Sequence, residues 1–273
     1  MFLNSVVLIL QEILEASLLI SVLLVFTRLR DIRPFWAAAA IVIGTIGAYF
    51  FAHYMASISE WFDYVGQEVM NAFIQLTILL ILAIFVTKYL GNTIPSRGSQ
   101  INMGFNVCTL LLVSLSLTRE GSEIFIYIGG ALGDPSHAQP TLTGSGIGAG
   151  IGISAGVLIY YGLLGLPTKW VATSGLLLLS LVGGNMASQA TLLLTQADWL
   201  PYSRILWDTA IWLPENSILG HLLYAIIGYE ATPSLFQVCS YATGILLILL
   251  CAKLSFGKQL LLNIEQTLTS TPQ

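Results

Sequence analysis

Long apolar stretches are the feature that most restricts how this chain can fold. Seven of them reach the roughly 20 residues that a helix needs to span the hydrocarbon core of a membrane. They lie at 2–27, 34–55, 66–90, 103–132, 144–166, 170–196 and 235–256. Only 9% of the residues are charged, against about a quarter in an ordinary soluble domain. We therefore predict an all-α membrane protein with seven transmembrane helices.

Basic residues predict how this bundle is oriented. Eight of the ten Lys and Arg residues fall on one side of the predicted membrane: Arg28, Arg30, Arg33, Lys88, Arg97, Lys169, Lys253 and Lys258. The positive-inside rule makes that side cytoplasmic. The N-terminus is therefore expected outside and the C-terminus inside. The first apolar stretch is too long for a secretory signal and lacks a basic start, so we expect it to remain as a membrane anchor.

Two pairs of acidic residues interrupt the apolar stretches. Glu12 and Glu15 lie in the first predicted helix, and Glu120 and Glu123 lie in the fourth, directly after Arg119. An acid near the centre of a spanning helix costs roughly 2.5 to 3.5 kcal/mol, so such residues predict a functional site. Because positions i and i+3 share one helical face, each pair can point at a single ion.

The two acidic pairs also indicate an internal repeat. An offset of 108 residues carries Glu12 to Glu120 and Glu15 to Glu123. The same offset carries small residues that favour close helix packing onto one another: Ala40, Gly44 and Ala48 onto Gly148, Gly152 and Gly156. The second motif lies three helices after the first, which is an odd number of crossings, so the two helices must run in opposite directions. We predict a 3+3 inverted-topology repeat, 2–91 and 103–196, followed by a seventh helix.

The C-terminal part is predicted to contain an outer loop at 197–234, helix seven at 235–256 and a short cytoplasmic tail at 257–273. Within the loop, 217–227 has start and stop signals for a short amphipathic helix. At that length it is expected at the outer surface or in the interface. Three histidines, His53, His137 and His221, map to the outer side. They lack a ligand spacing, so they are interpreted as interfacial polar groups.

The chemistry expected of the paired acids is cation binding. All-oxygen ligation suits hard cations, among them Mg, Ca, Mn and ferric iron. Four ionised Glu residues and Arg119 sum to −3, which a trivalent cation would balance. A structural ion-pair cluster is the alternative, although one Arg cannot satisfy four acids. Charge-balancing or accessory roles are predicted for the remaining polar candidates, which are Arg119, Gln11, Glu68 and Asp208.

The motif Arg119-Glu120-Gly121-Ser122-Glu123 resembles the R-E-G-x-E motif of the oxidase-dependent iron transporter family, the high-affinity iron permeases of bacteria and fungi. That family carries R-E-x-x-E on its first and fourth helices. Later residues are also similar: Leu206-Trp207-Asp208, 217–220, Gly228-Tyr229, Pro233-Ser234 and Tyr241. The resemblance implies iron uptake, with Glu12, Glu15, Glu120 and Glu123 as iron ligands and Glu68 as an accessory acid. Gln11 stands where the family usually has Arg, and Ile13 where it often has Gly.

Partners and location follow from the same resemblance. The transported ion is expected to be iron, either ferric or ferrous iron oxidised outside. A separate ferroxidase or periplasmic iron-handling protein is the expected partner. We predict a multi-pass protein of the inner or plasma membrane, surrounded by lipid, with no bound organic cofactor, no nucleic-acid partner and no enzymatic activity. The sequence predicts no particular oligomeric state.

Other functions are weighed against iron transport. Another metal cation, divalent or lead, would suit the same oxygen ligands. A retinal protein would need a lysine in the middle of helix seven, whereas Lys253 lies near its inner end. A glutamate-dependent intramembrane hydrolase could use paired acids to activate water, but the histidines map to the outer edge.

Overall fold

The computed structural model describes residues 2–90 and 99–269, and the regular elements of this part of the chain are nine helices. They are α1 (Phe2–Leu29), α2 (Phe35–Ser59), the single turn α3 (Trp61–Tyr64), α4 (Gly66–Phe85), α5 (Ser99–Leu132), α6 (Pro135–Leu164), α7 (Thr168–Gln196), α8 (Ile218–Ile227) and α9 (Leu235–Thr269). A π-helical turn at Val86–Leu90 extends α4. The all-α prediction is confirmed.

Six helices in the described residues are long and apolar enough to cross a membrane: α1, α2, α4 with its extension, α6, α7 and α9. The 34-residue helix α5 is not among them, and it carries the charged motif that contains Arg119, Glu120 and Glu123. The seventh crossing therefore stays a prediction. Arg97, which supports the predicted orientation, lies outside the described residues, and the orientation stays a prediction as well.

Two helices, α6 and α9, extend furthest beyond their predicted bounds. Helix α6 begins at Pro135 rather than at 144, because Asp134 caps it by accepting a hydrogen bond from the Ser136 amide at 2.9 Å. An acceptor at this position satisfies one of the free N–H groups of a helix start, and proline suits the first turn. Helix α9 continues to Thr269, so the predicted tail is helical as far as the structure describes it.

Two parallel helix pairs dominate the packing. In the first pair, Gly148 of α6 packs on Val6 of α1, and Gly156 packs on Ser17 further along both helices. In the second pair, Gly44 of α2 packs on Ser114 and Leu117 of α5. Glycine has no side chain, so the backbones approach closely at these positions, as is common between membrane helices.

Other neighbouring helices run antiparallel. Ser5 of α1 bonds Tyr127 of α5 at 2.7 Å, whereas Glu15, further along α1, meets Arg119, earlier on α5. Helix α7 is antiparallel to α9, because Thr191 bonds Ser240 at 2.6 Å and Gly183 packs on Ile248. Together with the parallel pairs, these contacts give α1 and α6 one direction and α2 and α5 the opposite one.

Helices α1 and α7 form the centre of the bundle. In the most apolar part of each, 67% of the residues are buried, against 22% in α2, α6 and α9. The outer helices expose large apolar side chains such as Ile43, Leu158 and Leu250. A polar residue on α1 is therefore enclosed by protein, which is where intramembrane acids are normally found.

The short helix α8 matches its predicted position. Ser217 caps its start by accepting a hydrogen bond from the Gly220 amide at 2.9 Å. Gly228 ends it with a φ of 68°, a left-handed conformation that glycine adopts without steric cost. Helix α8 packs against α1 and α7, and its place at the outer surface or in the interface stays a prediction.

Candidate metal site between α1 and α5

The four predicted ligands meet where α1 and α5 pass each other. Glu12 and Glu15 are one turn apart on α1, with 5% and 7% of their surfaces exposed, and Glu120 on α5 is 1% exposed. The Glu123 side chain is more open, at 35%. Helical spacing places both acids of each motif on one face, and the antiparallel packing turns the two faces toward each other.

Three of these acids form a compact group. Glu12, Glu120 and Glu123 each offer one carboxylate oxygen, and these oxygens lie within 4.8 Å of one another. Hard cations bind oxygen at about 2.0 to 2.6 Å, so ligands on opposite sides of an ion are about 4 to 5 Å apart. One cation could therefore contact all three residues, which we call the three-carboxylate site.

Arg119 joins the two halves of the site. Its Nη1 atom donates to both carboxylate oxygens of Glu120, at 2.6 and 2.8 Å. The same atom lies 3.5 Å from Glu15, and Nη2 lies 3.2 Å from Glu123. A buried guanidinium among several carboxylates offsets part of their mutual repulsion, in line with the charge-balancing role predicted for it.

Glu15 has different surroundings from the other three acids. It accepts a hydrogen bond from the Gln11 side-chain amide at 3.5 Å, in addition to its ion pair with Arg119. Gln189 of α7 lies beside it and accepts a hydrogen bond from Gln75 of α4 at 2.5 Å. Glu15 is thus held by polar groups from three helices and lies outside the three-carboxylate site.

Several buried polar atoms of the site lack hydrogen bonds. Within the described residues, Oε2 of Glu12, Oε2 of Glu15 and Nε of Arg119 have no hydrogen-bond partner. Buried polar groups are nearly always paired, and exceptions require a reason such as an ion or water. The chemistry of this donor set, carboxylate oxygens with spare capacity, fits a hard cation.

The two acids predicted to have accessory roles lie outside the three-carboxylate site. Glu68 lies half-buried in the first turn of α4, on the helix that carries the buried Asn71 and Gln75. Asp208 is exposed, and its Oδ1 accepts a hydrogen bond from the Ala210 amide at 2.9 Å. Neither belongs to the group of oxygens within 4.8 Å, and the contact of Asp208 shapes a local turn.

His221 is the residue that the sequence interpretation missed. It contacts the first motif, and its Nδ1 is 2.5 Å from Oε1 of Gln11. Burial lowers the pKa of this imidazole, against the opposing effect of Glu215. No ligand spacing marks His221 in the sequence, and its position between two loop acids is the only signal. In contrast, His53 is exposed and stacks on Tyr49, and His137 is half-buried and lies 3.2 Å from Asp134.

A helical membrane protein with converging carboxylates between the antiparallel helices α1 and α5 has the features of a cation transporter. Comparison with known proteins specifies the class further. Residues 2–258 match the model of the iron permease FTR1 family. The chain belongs to this family, which confirms the resemblance seen in the sequence. Because the family consists of membrane transporters, the hydrolase alternative is set aside.

Similar proteins carry names that agree with this family. The ferrous iron permease EfeU of Shigella flexneri is 27% identical over 134 residues, which cover 47% of this chain and 55% of that protein. The plasma membrane iron permease of Schizosaccharomyces pombe is 25% identical over 176 residues, covering 56% of this chain and 44% of the relative. The chain spans about half the length of the curated relatives it matches. No solved structure matches it.

Proposed function

We propose that this protein is an iron permease that moves iron inward across the cell membrane through the three-carboxylate site. The observation that carries the proposal is that Glu12, Glu120 and Glu123 each bring one carboxylate oxygen within 4.8 Å of the others. The similar proteins are named ferrous iron permease and plasma membrane iron permease. Iron is therefore the cargo and not a resident cofactor.

The charge of the site supports ferric iron as the bound form. Four carboxylates and Arg119 sum to −3 when all are ionised, and a trivalent ion brings that sum to zero. Oxygen ligands also suit a hard trivalent ion. In this proposal, iron arrives as ferric ion or as ferrous ion oxidised outside by a separate ferroxidase or periplasmic protein.

Uptake of ferrous iron kept reduced with ascorbate, compared with uptake of ferric citrate, tests the oxidation state of the transported iron. Competition with manganese or lead in the same assay tests the alternative cargo.

Release on the inner side proceeds by alternating access of two inverted repeats, with the N-terminus outside. The helix pairs support this arrangement, since each repeat contributes one helix to each parallel pair. The Ser114 hydroxyl donates to the carbonyl of Ala40 at 3.4 Å, and Val6 packs on Gly148. These two contacts correspond under the offset of 108 residues, as inverted repeats around a central site predict.

Uptake of radioactive iron in an uptake-deficient cell tests the proposal. We expect transport by the wild type and its loss in Glu12→Gln and Glu120→Gln, because each removes one charged ligand without changing the size of the side chain. Glu60→Gln is the matched control, since Glu60 is exposed at the end of α2. Undiminished uptake by both site variants would contradict the site assignment, and absence of uptake by the wild type would contradict the function.

A further inference from the structure

A cavity of about 320 Å³ lies between α8 and Gln11 of α1, the residue before Glu12. Its lining includes Gln11, Tyr224, His221, Glu215 and Glu230. Gln11 also bonds Glu15, and Tyr224 lies close enough to Glu12 and Glu15 to interact with their charges. These two side chains thus line the cavity, which we call the α8 cavity, and also interact with acids of the candidate metal site.

The hydrogen bonds of Gln11 determine which nitrogen of His221 is free. The Gln11 amide nitrogen faces the Glu15 carboxylate, so its carbonyl oxygen faces His221. A carbonyl oxygen only accepts, so Nδ1 of His221 carries the proton and donates. In the neutral ring, Nε2 then carries the lone pair. A histidine that donates through one nitrogen and keeps the other as a lone pair is the usual form of a metal-binding histidine.

Two carboxylates in the α8 cavity lack a positive partner. Oε1 of Glu215 accepts from the Ala231 amide at 2.8 Å, and Oε2 of Glu230 accepts from the Gln237 amide at 2.5 Å. Among the described residues, neither carboxylate forms an ion pair. Burial raises the pKa of Glu230, the hydrogen bond from the Gln237 side chain opposes this rise, and the charge of Glu215 adds to it. Glu215 is exposed and Glu230 is half-buried, so a cation that enters the cavity from solvent could approach both carboxylates.

The ligand groups of the α8 cavity are more widely spaced than those of the three-carboxylate site. In the described part of the chain, only Glu12, Glu120 and Glu123 form a group of three acidic, His or Cys residues whose ligand atoms lie within 4.8 Å of one another. His221, Glu215 and Glu230 therefore suit a cation that keeps part of its water shell, because water bridges longer polar distances at little cost in enthalpy.

We propose that the α8 cavity is a receiving site, in which a partly hydrated metal cation contacts His221, Glu215 and Glu230 before it passes Gln11 and Tyr224 to the three-carboxylate site. This inference deepens the proposed function and rests on it for the identity of the cargo. In the proposed orientation, the cavity faces outside. The hydrogen-bonded series His221, Gln11 and Glu15 leads from the cavity to the ion pair of Glu15 with Arg119.

Concentration-dependent uptake separates a receiving role from a transport role. We use His221→Asn, which can retain the donor near Nδ1 but lacks Nε2, and Glu230→Gln, with Glu215→Gln as a second carboxylate variant. Each should raise the half-saturating iron concentration by about tenfold, the low end of the effect of losing an outer metal contact, with an unchanged maximal rate. His137→Asn is the matched control. Unchanged half-saturation in all three variants would overturn the receiving site.

Manganese binding tests the same site without transport. The full chain is purified in detergent with Glu120→Gln and Glu123→Gln combined, which removes most of the three-carboxylate site, and bound Mn²⁺ is measured by electron paramagnetic resonance. We expect residual binding that is lost when His221→Asn and Glu230→Gln are added. Residual binding that survives those additions, or no residual binding at all, would overturn the inference. A wild type without iron uptake would instead contradict the proposed function, independently of this result.

Discussion

Nη1 of Arg119 lies 3.5 Å from Oε2 of Glu15 and 2.6 Å from Oε1 of Glu120, so one guanidinium contacts an acid of each motif. The first motif has Gln11 in place of a basic residue. Arg119 therefore serves both halves of the site. Of the four acids, Glu12, Glu120 and Glu123 form a compact group, and Glu15 instead forms an ion pair with Arg119 from outside that group.

This division predicts unequal effects of two similar substitutions. Glu12 belongs to the three-carboxylate site, and its Oε2 has no hydrogen-bond partner among the described residues. Glu15 is held by Gln11 and Arg119. At limiting iron, Glu12→Gln should lower uptake by at least about tenfold, as expected for a ligand, and Glu15→Gln should lower it less. Initial rates of radioactive iron uptake measure both, and a larger loss in Glu15→Gln would reverse the assigned roles.

Removal of the shared cation should destabilise the protein. Arg119→Gln leaves buried carboxylates uncompensated, and the loss of one member of a buried ion cluster typically costs about 3 to 5 kcal/mol. The thermal midpoint of the purified protein in detergent should fall in Arg119→Gln and fall less in Arg119→Lys, which keeps the charge but not the fork of donors. Added Mn²⁺ should recover part of the loss. Equal midpoints for the wild type and Arg119→Gln would show that the cluster does not depend on the arginine.

Restoring the arginine of the family motif should be harmful in this chain. A guanidinium has no acceptor, so Gln11→Arg would place a donor against Nδ1 of His221. We expect a decrease in maximal uptake of about tenfold, and recovery at saturating iron in the double variant Gln11→Arg/His221→Ala, which removes the opposing donor. Full activity of Gln11→Arg alone would show that the amide is merely tolerated.

Because α1 packs closely on α6, the effect of a larger side chain on stability and uptake should depend on which glycine of α6 it replaces. A side chain at Gly152 would meet Ile13, its Cβ lying 2.8 Å from Cγ2 of that residue, whereas a Cβ at Gly150 has nothing within 4 Å. Ile13 lies between Glu12 and Glu15, so Gly152→Val should displace the first motif. Overpacking of this kind costs about 1 to 3 kcal/mol. Thermal midpoint and iron uptake should both fall in Gly152→Val but not in the control Gly150→Val, and equal effects would exclude specific packing.

Much of the fold could be predicted from local sequence signals. Apolar length predicted the long helices, and the Ser217 and Gly228 signals predicted the ends of α8 to within a residue. The start of α6 was predicted too late, because hydropathy marks where a helix becomes apolar and not where its first turn is capped. Asp134 provides that cap outside the apolar stretch.

The candidate site was predictable in its members but not in their contacts. The spacing of Glu12 and Glu15, and of Glu120 and Glu123, places each pair on one face whatever the tertiary structure. Helical periodicity does not determine how two helices are rotated and shifted against each other. That relative placement separates Glu15 from the other acids and brings Arg119 between the halves.

The sequence by itself determined that the chain is helical, that it is suited to a membrane, and that it carries paired acids and an FTR1-type motif. These properties depend on residue type and short spacing, which each segment carries alone. Only the tertiary structure decided that Glu12, Glu120 and Glu123 form a compact group and that His221 contacts Gln11. Such contacts depend on the path of a long loop and on the packing of α8 against α1, which no local pattern specifies.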